Sequence, residues 1–335
     1  MIETVIEGFR VSNETNSPSN FRTCQNCGQL TLASSPVCAH CGARSLVSVA
    51  DVVQAQKEER FIRSFLTRTT PVAYSIFVFN LIVFVLIAAA HGSHFLARLI
   101  EPTNSLVLIA FGAKTNALIT KGDLFRLVTP IFIHIGLLHL VSNSYALWII
   151  GPQVEKLYGS ARFALIYLLC GIGGSLGSYF NPLSSRISTV PGAGASGAIF
   201  GMFGVMMVFG FKYRDELPPS IRRFFGAGVL PVILVNLFIG FTFAFIDNAA
   251  HIGGLLTGAL LALLVPYLKP GEARTSNRDL VELMLCVVII AYSFGRAYQQ
   301  SGKYLPRQMR PAQVSSFHST FIHSGDNSCA SEKSV

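Results

Sequence analysis

A serine and a histidine stand at the beginnings of two long apolar runs, where they could form a catalytic pair. Ser196 lies in the sequence Gly194-Ala195-Ser196-Gly197 at the start of one run, and His251 opens another. A serine hydroxyl becomes a good nucleophile only when a base removes its proton, and a histidine is the usual base. Small-residue patches also occur wherever membrane helices pack closely, but an ionisable histidine inside a hydrocarbon span points to function. Together the two residues predict nucleophilic catalysis within a membrane.

His139 and Asn143 could supply the anion-binding part of the same site. Acyl transfer needs hydrogen-bond donors aimed at the oxyanion that develops in the transition state. The two residues are spaced i,i+4, so they share one face near the outer end of a predicted helix. A pair of this type can also bond neighbouring helices without any role in chemistry. Together with the backbone amide of Ser196, we predict that they form an oxyanion hole.

The composition indicates that these residues belong to a membrane protein with several spans. Of the 335 residues, 51% are hydrophobic and 13% are charged, and the mean hydropathy is +0.51. Six apolar runs can each cross a hydrocarbon core of about 30 Å as a helix, and a weaker seventh run either crosses it or lies at its surface. These seven runs cover residues 70–90, 131–150, 163–180, 194–211, 225–245, 249–268 and 281–295. The predicted fold class is an all-α polytopic membrane protein.

Basic residues predict how the chain crosses the membrane. The net charge is +9, but Lys and Arg gather beside the apolar runs, so we expect no nucleic acid as a partner. With the N-terminus in the cytoplasm, the inner connections carry more Lys and Arg than the outer ones. The runs that begin near Ser196 and His251 then both enter from the outer side, which gives the two residues matching depth. Residues 1–70 are largely polar, so we expect no cleaved signal peptide, and a bacterial inner membrane is the expected location.

Glycines on the fourth and sixth runs predict that these two helices pack closely. Each run has a small-xxx-small pair, which lets helix backbones approach. The pairs are Gly197 with Gly201 and Gly254 with Gly258. Close approach is what a hydrogen bond between Ser196 and His251 requires. Phe200 lies one turn after Ser196, so we expect its ring to pack beneath the imidazole of His251.

Five motifs occur in one order along the apolar region: Arg126 with Thr129-Pro130, His139-x-x-x-Asn143, Glu155 after the second run, Gly194-Ala195-Ser196-Gly197-Ala198-Ile199-Phe200-Gly201, and Ala250-His251-Ile252-Gly253-Gly254 with Gly258. In these motifs the chain resembles the rhomboid family of intramembrane serine proteases, over about residues 70–268. The resemblance implies a six-helix core in which a short fourth helix begins at a water-filled cavity. It also implies that the substrates are transmembrane proteins, which reach the site sideways from the lipid bilayer near the second and fifth spans.

The resemblance implies a role for each motif. Ser196 looks like the nucleophile and His251 like the general base. His139 and Asn143 look like the two oxyanion donors. Catalysis in the family needs no cofactor and no third carboxylate, so we expect Asp247 to be a loop or helix-start residue. Gly194 belongs to the serine motif, while Arg126 and Glu155 are expected to hold loops in place.

These features predict a serine endopeptidase that cleaves transmembrane segments of other membrane proteins. Segments with Gly, Ser or Pro should be preferred, because a helix must unwind before its carbonyl groups can be attacked. One alternative is a non-catalytic rhomboid-like protein that binds membrane clients, which predicts that the nucleophile or the base is lost. The other is a channel or transporter, which predicts ionisable residues threaded through several spans. The sequence has neither pattern.

Four cysteines near the N-terminus predict a metal site. Cys24-x-x-Cys27-Gly28 and Cys38-x-x-Cys41-Gly42 are two knuckles, and in each the glycine allows a tight turn that presents both sulfurs. Four thiolates satisfy the tetrahedral preference of zinc and leave no open position, so the zinc would be structural. Two disulfides are the alternative, but a cytoplasmic terminus is reducing and favours metal. The sequence does not indicate a partner for this zinc ribbon.

The predicted organisation has six segments. They are a disordered N-terminus (1–23), a zinc ribbon (24–44), an amphipathic juxtamembrane linker (45–69), the six-helix protease core (70–268), a seventh transmembrane helix (279–298) and a disordered tail (299–335). The first connection of the core, residues 91–130, is too long for a turn and contains a short apolar stretch at 106–111. We expect this connection to be partly submerged in the membrane.

Overall fold

The structure is a computed structural model, and it describes seven stretches of the chain. They are residues 21–32, 35–44, 49–90, 99–181, 191–243, 246–270 and 276–305. The two predicted disordered segments, 1–23 and 299–335, lie largely outside the described residues. Where they are described, they have regular structure: residues 21–23 form a strand and residues 299–301 continue a helix. The ordered regions therefore extend past both predicted boundaries.

The described chain is mostly helical, which confirms the coarse prediction of an all-α membrane protein with several apolar helices. Its α-helices are α1 (Val49–Thr67), α2 (Pro71–Ala89), α3 (Ser105–Ala110), α4 (Asn116–Thr120), α5 (Leu137–Tyr158), α6 (Ser160–Phe180), α7 (Ser196–Lys212), α8 (Pro219–Arg222), α9 (Leu230–Thr242), α10 (Asn248–Leu264) and α11 (Asn277–Ser301). Shorter 3₁₀ turns cover Leu124–Leu127, Thr129–Phe132 and Gly226–Val229. Two strands, β1 (Phe21–Thr23) and β2 (Leu30–Leu32), pair antiparallel. By length and composition alone, three described helical segments could cross a membrane: Val53–Ala89, Ser160–Phe180 and Asn277–Ser301.

Helix α5 lies further along the chain than the apolar run at residues 131–150 that predicted it. Gly136 has an extended backbone (φ −164°, ψ 173°), so the helix cannot begin earlier. The apolar residues before Gly136 instead form the 3₁₀ turn Thr129–Phe132 and a buried loop. Glu155, predicted to follow the span, therefore lies inside the last turn of α5. An apolar run marks burial, and burial does not require a helix.

The fifth apolar run, predicted over residues 225–245, gives a shorter helix. Gly226 has a φ of +60° and begins a 3₁₀ turn, and α9 then covers 13 residues. The rise of α9 is about 20 Å, less than the ~30 Å of a hydrocarbon core. Only Ile233 and Gly240 of this helix are buried, whereas Phe238 and Phe241 are 73% and 74% exposed. Helix α9 thus meets the bundle along a narrow face.

Glycines bring the backbones of α7 and α10 into direct contact. A Cβ atom added at Gly254 would lie 1.9 Å from the carbonyl oxygen of Gly197. One turn further along, a Cβ atom added at Gly258 would lie 1.9 Å from the carbonyl oxygen of Gly201. No side chain fits between the two helices at these points. The small-xxx-small faces predicted from the sequence are therefore in contact with each other.

Helix α6 approaches α10 in the same way. A Cβ atom at Gly177 would lie 2.7 Å from the carbonyl oxygen of Ala249, and one at Gly253 would lie 2.6 Å from that of Gly173. Helix α7 also contacts α5, α6 and α9, and residues 197–206 of α7 are all buried. Helix α7 is therefore the enclosed centre of the bundle.

Basic side chains cover helix carbonyl groups at the end of the bundle opposite Ser196. Lys212 Nζ donates to the carbonyl oxygen of Leu263, 2.8 Å away, at the C-terminal end of α10. Arg68 Nη1 donates to the carbonyl oxygen of Lys156, 2.6 Å away, near the end of α5. The last carbonyl groups of a helix lack partners within it, and cations are favourable there. These contacts join the helix ends on this side.

The long first connection is folded and partly buried. Its described part, residues 99–136, is called the first loop below, and it contains α3, α4 and two 3₁₀ turns. Val107 and Leu108 of α3 are buried in a small core with Val83 and Ile87 of α2. The short apolar stretch noted in the sequence is thus a six-residue helix packed on the bundle.

Helix α11 contains the weak seventh run and extends beyond it at both ends. It packs against α6, α3 and both 3₁₀ turns of the first loop. The ring of Phe294 meets that of Phe79 on α2, with centroids 5.6 Å apart, and that of Phe132, with centroids 6.2 Å apart. Helix α11 is therefore an integral part of the described bundle.

The glycine contact predicts a large difference between two glycine-to-alanine substitutions. Gly254→Ala inserts a methyl group against the Gly197 carbonyl, and overpacking of this kind costs about 2 kcal/mol. A Cβ atom at Gly295 on α11 would meet nothing within 4 Å, so Gly295→Ala should keep or slightly raise stability through helix propensity. Thermal unfolding in detergent, followed by circular dichroism, measures both. A Tm for Gly254→Ala equal to that of Gly295→Ala would contradict the contact.

Candidate active site

Ser196 is the first residue of α7, and the turn before it is tightly constrained. Gly194 has a φ of +125°, which L side chains rarely adopt, and its amide donates to the carbonyl oxygen of Pro130, 2.9 Å away. A Cβ atom at Gly194 would lie 2.6 Å from Nε2 of His139. This turn therefore needs glycine for its backbone conformation and for the space that His139 occupies. The side chain of Ser196 itself is half-buried.

His251 lies in the first turn of α10 and is 7% exposed. Its ring stacks on that of Phe200, with centroids 4.1 Å apart and planes inclined by 6°, which is the contact expected from the sequence. A Cβ atom at Gly197 would lie 3.4 Å from the carbonyl oxygen of Ala250, so the starts of α7 and α10 touch beside these rings. The structure thus brings together the two helix turns that carry Ser196 and His251.

Asp247 caps the N-terminus of α10, as the sequence predicted. Its Oδ1 accepts from the amide of Ala250, 3.1 Å away, and its Oδ2 accepts from the hydroxyl of Ser178. Nδ1 of His251 is buried and has no hydrogen-bond partner among the described residues. Asp247 therefore serves the helix start, and the site contains a serine and a histidine without a carboxylate bound to the imidazole.

His139 and Asn143 lie on one face of α5, beside the turn that precedes Ser196. Nδ2 of Asn143 lies 3.8 Å from the position of a Cβ atom at Gly194, and the residue is 6% exposed. This nitrogen donates one hydrogen to the carbonyl oxygen of His139, 2.9 Å away, and an amide carries a second one. The first N–H groups of α7, that of Ser196 included, lack partners within the helix. The side chains of His139 and Asn143 thus lie beside the turn that leads into α7.

His134 is a buried residue near this site that the sequence analysis missed. Its side chain is 0% exposed, and its ring centroid lies 5.3 Å from that of His139, with the planes inclined by 66°. Neither of its nitrogens has a hydrogen-bond partner among the described residues. The signal was present, because His134 is an ionisable residue inside the apolar run at 131–150, the same feature that singled out His251. His134 lies five residues before His139, and this spacing does not place two residues on one face of a helix. The helical pattern therefore does not group His134 with His139 and Asn143.

Arg126 joins parts of the first loop. Its side chain is 1% exposed, and Nη1 donates to the carbonyl oxygens of Ile109 (2.7 Å) and Ala113 (3.0 Å). Its Nε donates to Oδ2 of Asp123, 3.1 Å away. A buried guanidinium is tolerated only when it is hydrogen-bonded and paired. These contacts agree with the structural role expected for Arg126.

Glu155 caps a helix rather than holding a loop. Its Oε1 accepts from the amide of Val72 (3.0 Å) and the hydroxyl of Ser160 (2.7 Å), and its Oε2 accepts from the amide of Ala73 (2.7 Å). These amides are at the N-terminus of α2, where they have no partners within the helix and where negative charge is favourable. Glu155 thereby ties α5 and α6 to α2.

The four N-terminal cysteines converge. Their sulfur atoms all lie within 4.8 Å of one another, and the Sγ atoms of Cys24 and Cys41, and of Cys27 and Cys38, are 3.7 Å apart. A disulfide would need about 2.05 Å, whereas tetrahedral zinc with ~2.3 Å bonds holds its sulfurs about 3.8 Å apart. Hydrogen bonds from the side-chain amide of Asn26 and the backbone amide of Ala43 lower the pKa of Cys41 to about 6. The cluster can therefore hold a metal ion.

Glycines form the two turns of this cluster. Gly28 and Gly42 have φ angles of +72° and +69°. Their amides donate to the carbonyl oxygens of Cys24 and Cys38, 2.8 and 3.0 Å away. Each pair of cysteines thus lies on a tight turn that only glycine closes without strain, as the knuckle pattern predicted.

The fold and the site define a helical membrane protein with a serine and a histidine on adjoining helix starts. The rhomboid domain model matches residues 121–268. The rhomboid protease AarA of Providencia stuartii is 34% identical over 202 residues, which are 56% of this chain and 69% of AarA. RHOMBOID-like protein 7 of Arabidopsis thaliana is 30% identical over 245 residues, or 62% of this chain and 74% of that protein. The chain belongs to the rhomboid family and is an integral membrane protein.

A third relative is longer than the region it shares. The rhomboid protease GluP of Bacillus subtilis is 40% identical over 212 residues, 63% of this chain. The match covers 38% of the length of GluP. The similarity to GluP therefore concerns a shared region and not the whole of either protein.

The cap on α2 predicts that Glu155 contributes to stability. Glu155→Ala leaves two amides and the Ser160 hydroxyl without their acceptor, which costs about 3 kcal/mol. Glu155→Gln keeps one oxygen and should be intermediate. Glu59→Ala, on the exposed side of α1, is the control and should match the wild type. Thermal unfolding in detergent tests the series, and equal Tm values for Glu155→Ala and Glu59→Ala would refute the cap.

Proposed function

We propose that this protein is an intramembrane serine endopeptidase with Ser196 as nucleophile and His251 as general base. The observation that carries the proposal is the stacking of His251 on Phe200, one turn after Ser196, where α7 and α10 touch. This contact fixes the plane of the imidazole beside the start of α7. A serine without such a base would be inert.

The proposed reaction has two halves. Ser196 Oγ attacks the carbonyl carbon of the peptide bond while the imidazole of His251 takes the hydroxyl proton. The imidazole then gives this proton to the leaving amine, the C–N bond breaks, and an acyl-enzyme forms. In the second half, His251 takes a proton from water, which attacks the ester. The acid product leaves and Ser196 regains its proton, so the site ends as it began.

Negative charge on the carbonyl oxygen would be stabilised by donors on two helices. His139 offers its imidazole beside Gly194, and Asn143 offers the second hydrogen of its amide. The backbone N–H of Ser196 adds a third donor at a helix N-terminus. Fixed donors of this kind need no rearrangement when the charge develops, which is why they lower the barrier.

The proposed substrates are transmembrane segments of other proteins that arrive from the lipid. Among the apolar helices near the site, α9 has the fewest buried residues. Its displacement would therefore disturb little packing. Asn248 Nδ2 donates to the carbonyl oxygen of Leu237, 3.1 Å away, and this bond joins α9 to α10. Segments rich in Gly, Ser or Pro would be cut most readily, because they unwind at the least cost.

We also infer that α11 is a seventh span. Helix α10 ends beside Lys212, at the end of the bundle opposite Ser196, whereas the end of α11 meets the first loop on the Ser196 side. The 25 residues of α11 would then carry the chain from one end of the bundle to the other. With the N-terminus in the cytoplasm, Lys and Arg at the Lys212 end face inward as the positive-inside rule requires, and a bacterial inner membrane suits this topology.

We propose that Cys24, Cys27, Cys38 and Cys41 hold one structural zinc ion. Their sulfur spacing matches a tetrahedral site, and four thiolates fill it, so the ion takes no part in catalysis. The ion would join two short turns that have few apolar contacts of their own. A partner of this ribbon is not specified by these residues.

Catalysis is tested by cleavage of a fluorescent transmembrane reporter in proteoliposomes. Ser196→Ala and His251→Ala should lower kcat/KM by at least about 10³-fold, because each removes a group that acts in bond making. His139→Ala and Asn143→Ala should each cost about 10²-fold, as expected for one oxyanion donor. Ser142→Ala, next to Asn143 but exposed, is the control and should retain wild-type activity. Equal cleavage by Ser196→Ala and Ser142→Ala would refute the mechanism.

Zinc binding is tested by metal analysis of the purified full-length protein. We expect about one zinc per chain, reduced or lost in Cys24→Ser and Cys38→Ser. Cys286→Ser removes a buried thiol outside the cluster and should keep the metal. Absence of zinc together with four reactive thiols at these positions would overturn the assignment, and two disulfides would support the alternative pairing.

A further inference from the structure

The C-terminal end of α11 binds the charged centre of the first loop. Gln300 Nε2 donates to Oδ1 of Asp123, 2.9 Å away, while Oδ2 of the same carboxylate accepts from Arg126. The ring of Tyr304 covers the other part of the guanidinium, with its centroid 5.3 Å from Cζ of Arg126. Gln300 and Tyr304, called the C-terminal pair below, thus contact both members of a buried ion pair.

The first loop is also pressed against α11 at a glycine. A Cβ atom at Gly112 would lie 3.2 Å from Cβ of Ala297, which is buried one turn before Gln300. The carbonyl oxygen of Gly112 accepts from the hydroxyl of Thr129, 2.6 Å away. Helix α11 therefore packs against the first loop at Gly112, in addition to contacting the ion pair.

The same loop supports the turn in front of Ser196. Lys114 and Gly192 exchange both backbone hydrogen bonds, with N···O distances of 2.8 and 2.9 Å. The carbonyl oxygen of Pro130, next to Thr129, accepts from the amide of Gly194. Three backbone hydrogen bonds therefore transmit the position of the first loop to residues 192–194. A continuous set of direct contacts leads from α11 to the nucleophile.

We propose that the C-terminal pair positions the active-site turn. Gln300 and Tyr304 are positioning residues: they hold Asp123 and Arg126, and through the first loop they fix Gly194 and the neighbouring oxyanion donors. This inference rests on the proposed protease function for its catalytic readout. Misplacement of reacting groups by about 1 Å can cost 10²-fold in rate, so a small shift of the loop is sufficient.

The catalytic test uses matched substitutions at the end of α11 and in the turn that follows it. Gln300→Ala and Tyr304→Ala face the loop, while Gln299→Ala and Tyr298→Ala face outward. Titration of Ser196 with a fluorophosphonate counts intact sites, so that kcat is expressed per active site rather than per protein. We expect the inward variants to lose at least about tenfold in kcat per site with KM nearly unchanged. Tyr304→Phe keeps the ring over Arg126 and should restore most of the activity.

A second measurement does not depend on catalysis. Amide hydrogen exchange of residues 191–200 should be faster in Gln300→Ala than in Gln299→Ala, because the loop that supports the turn is loosened. Equal kcat per site and equal exchange for the inward and outward variants would overturn the inference. If the wild type cleaves no reporter, the proposed protease function fails, and the exchange rates still decide whether α11 positions the turn.

Discussion

The backbone contact between α7 and α10 is the constraint on which the rest of the structure depends. Gly254 against Gly197, and Gly258 against Gly201, leave no room for side chains, so they fix both the separation and the register of the two helices. The first turns of the helices are then level with each other. Ser196 and His251 need no loop to bring them together, because each is held at the end of a rigid helix. The proposed catalytic pair is a product of helix packing.

Buried charges fasten other parts of the bundle to one another. Arg126 binds carbonyl groups of the first loop, and Glu155 binds amides at the start of α2. Without water, such groups are stable only when the protein supplies every partner, so each buried charge forces distant segments to meet. The fold must therefore place hydrogen-bond partners around both side chains.

Residue types and spacings predict the candidate site better than apolar runs predict the helix boundaries. Ser196, His251 and Phe200 could be grouped because their types and helical spacing limit what they can do, and the glycine faces could be paired for the same reason. The boundaries of α5 and α9 were misplaced, since apolar runs report burial and an extended Gly136 or a left-handed Gly226 interrupts a helix without changing hydropathy. The contact between Gln300 and Asp123 depends on packing between segments 177 residues apart, for which one sequence has no periodic signal.

The enclosure of α7 has a consequence for the membrane around it. Residues 197–206 are all buried, so a helix that diffuses past the bundle meets the neighbours of α7 rather than α7 itself. Under the proposed function, collision alone exposes no bond to attack. A passing helix would have to stay beside the protein until a neighbour of α7 moves aside. A stable helix would leave before this movement occurs. Discrimination among the many helices of a membrane would then be kinetic, set by the duration of each encounter rather than by its frequency.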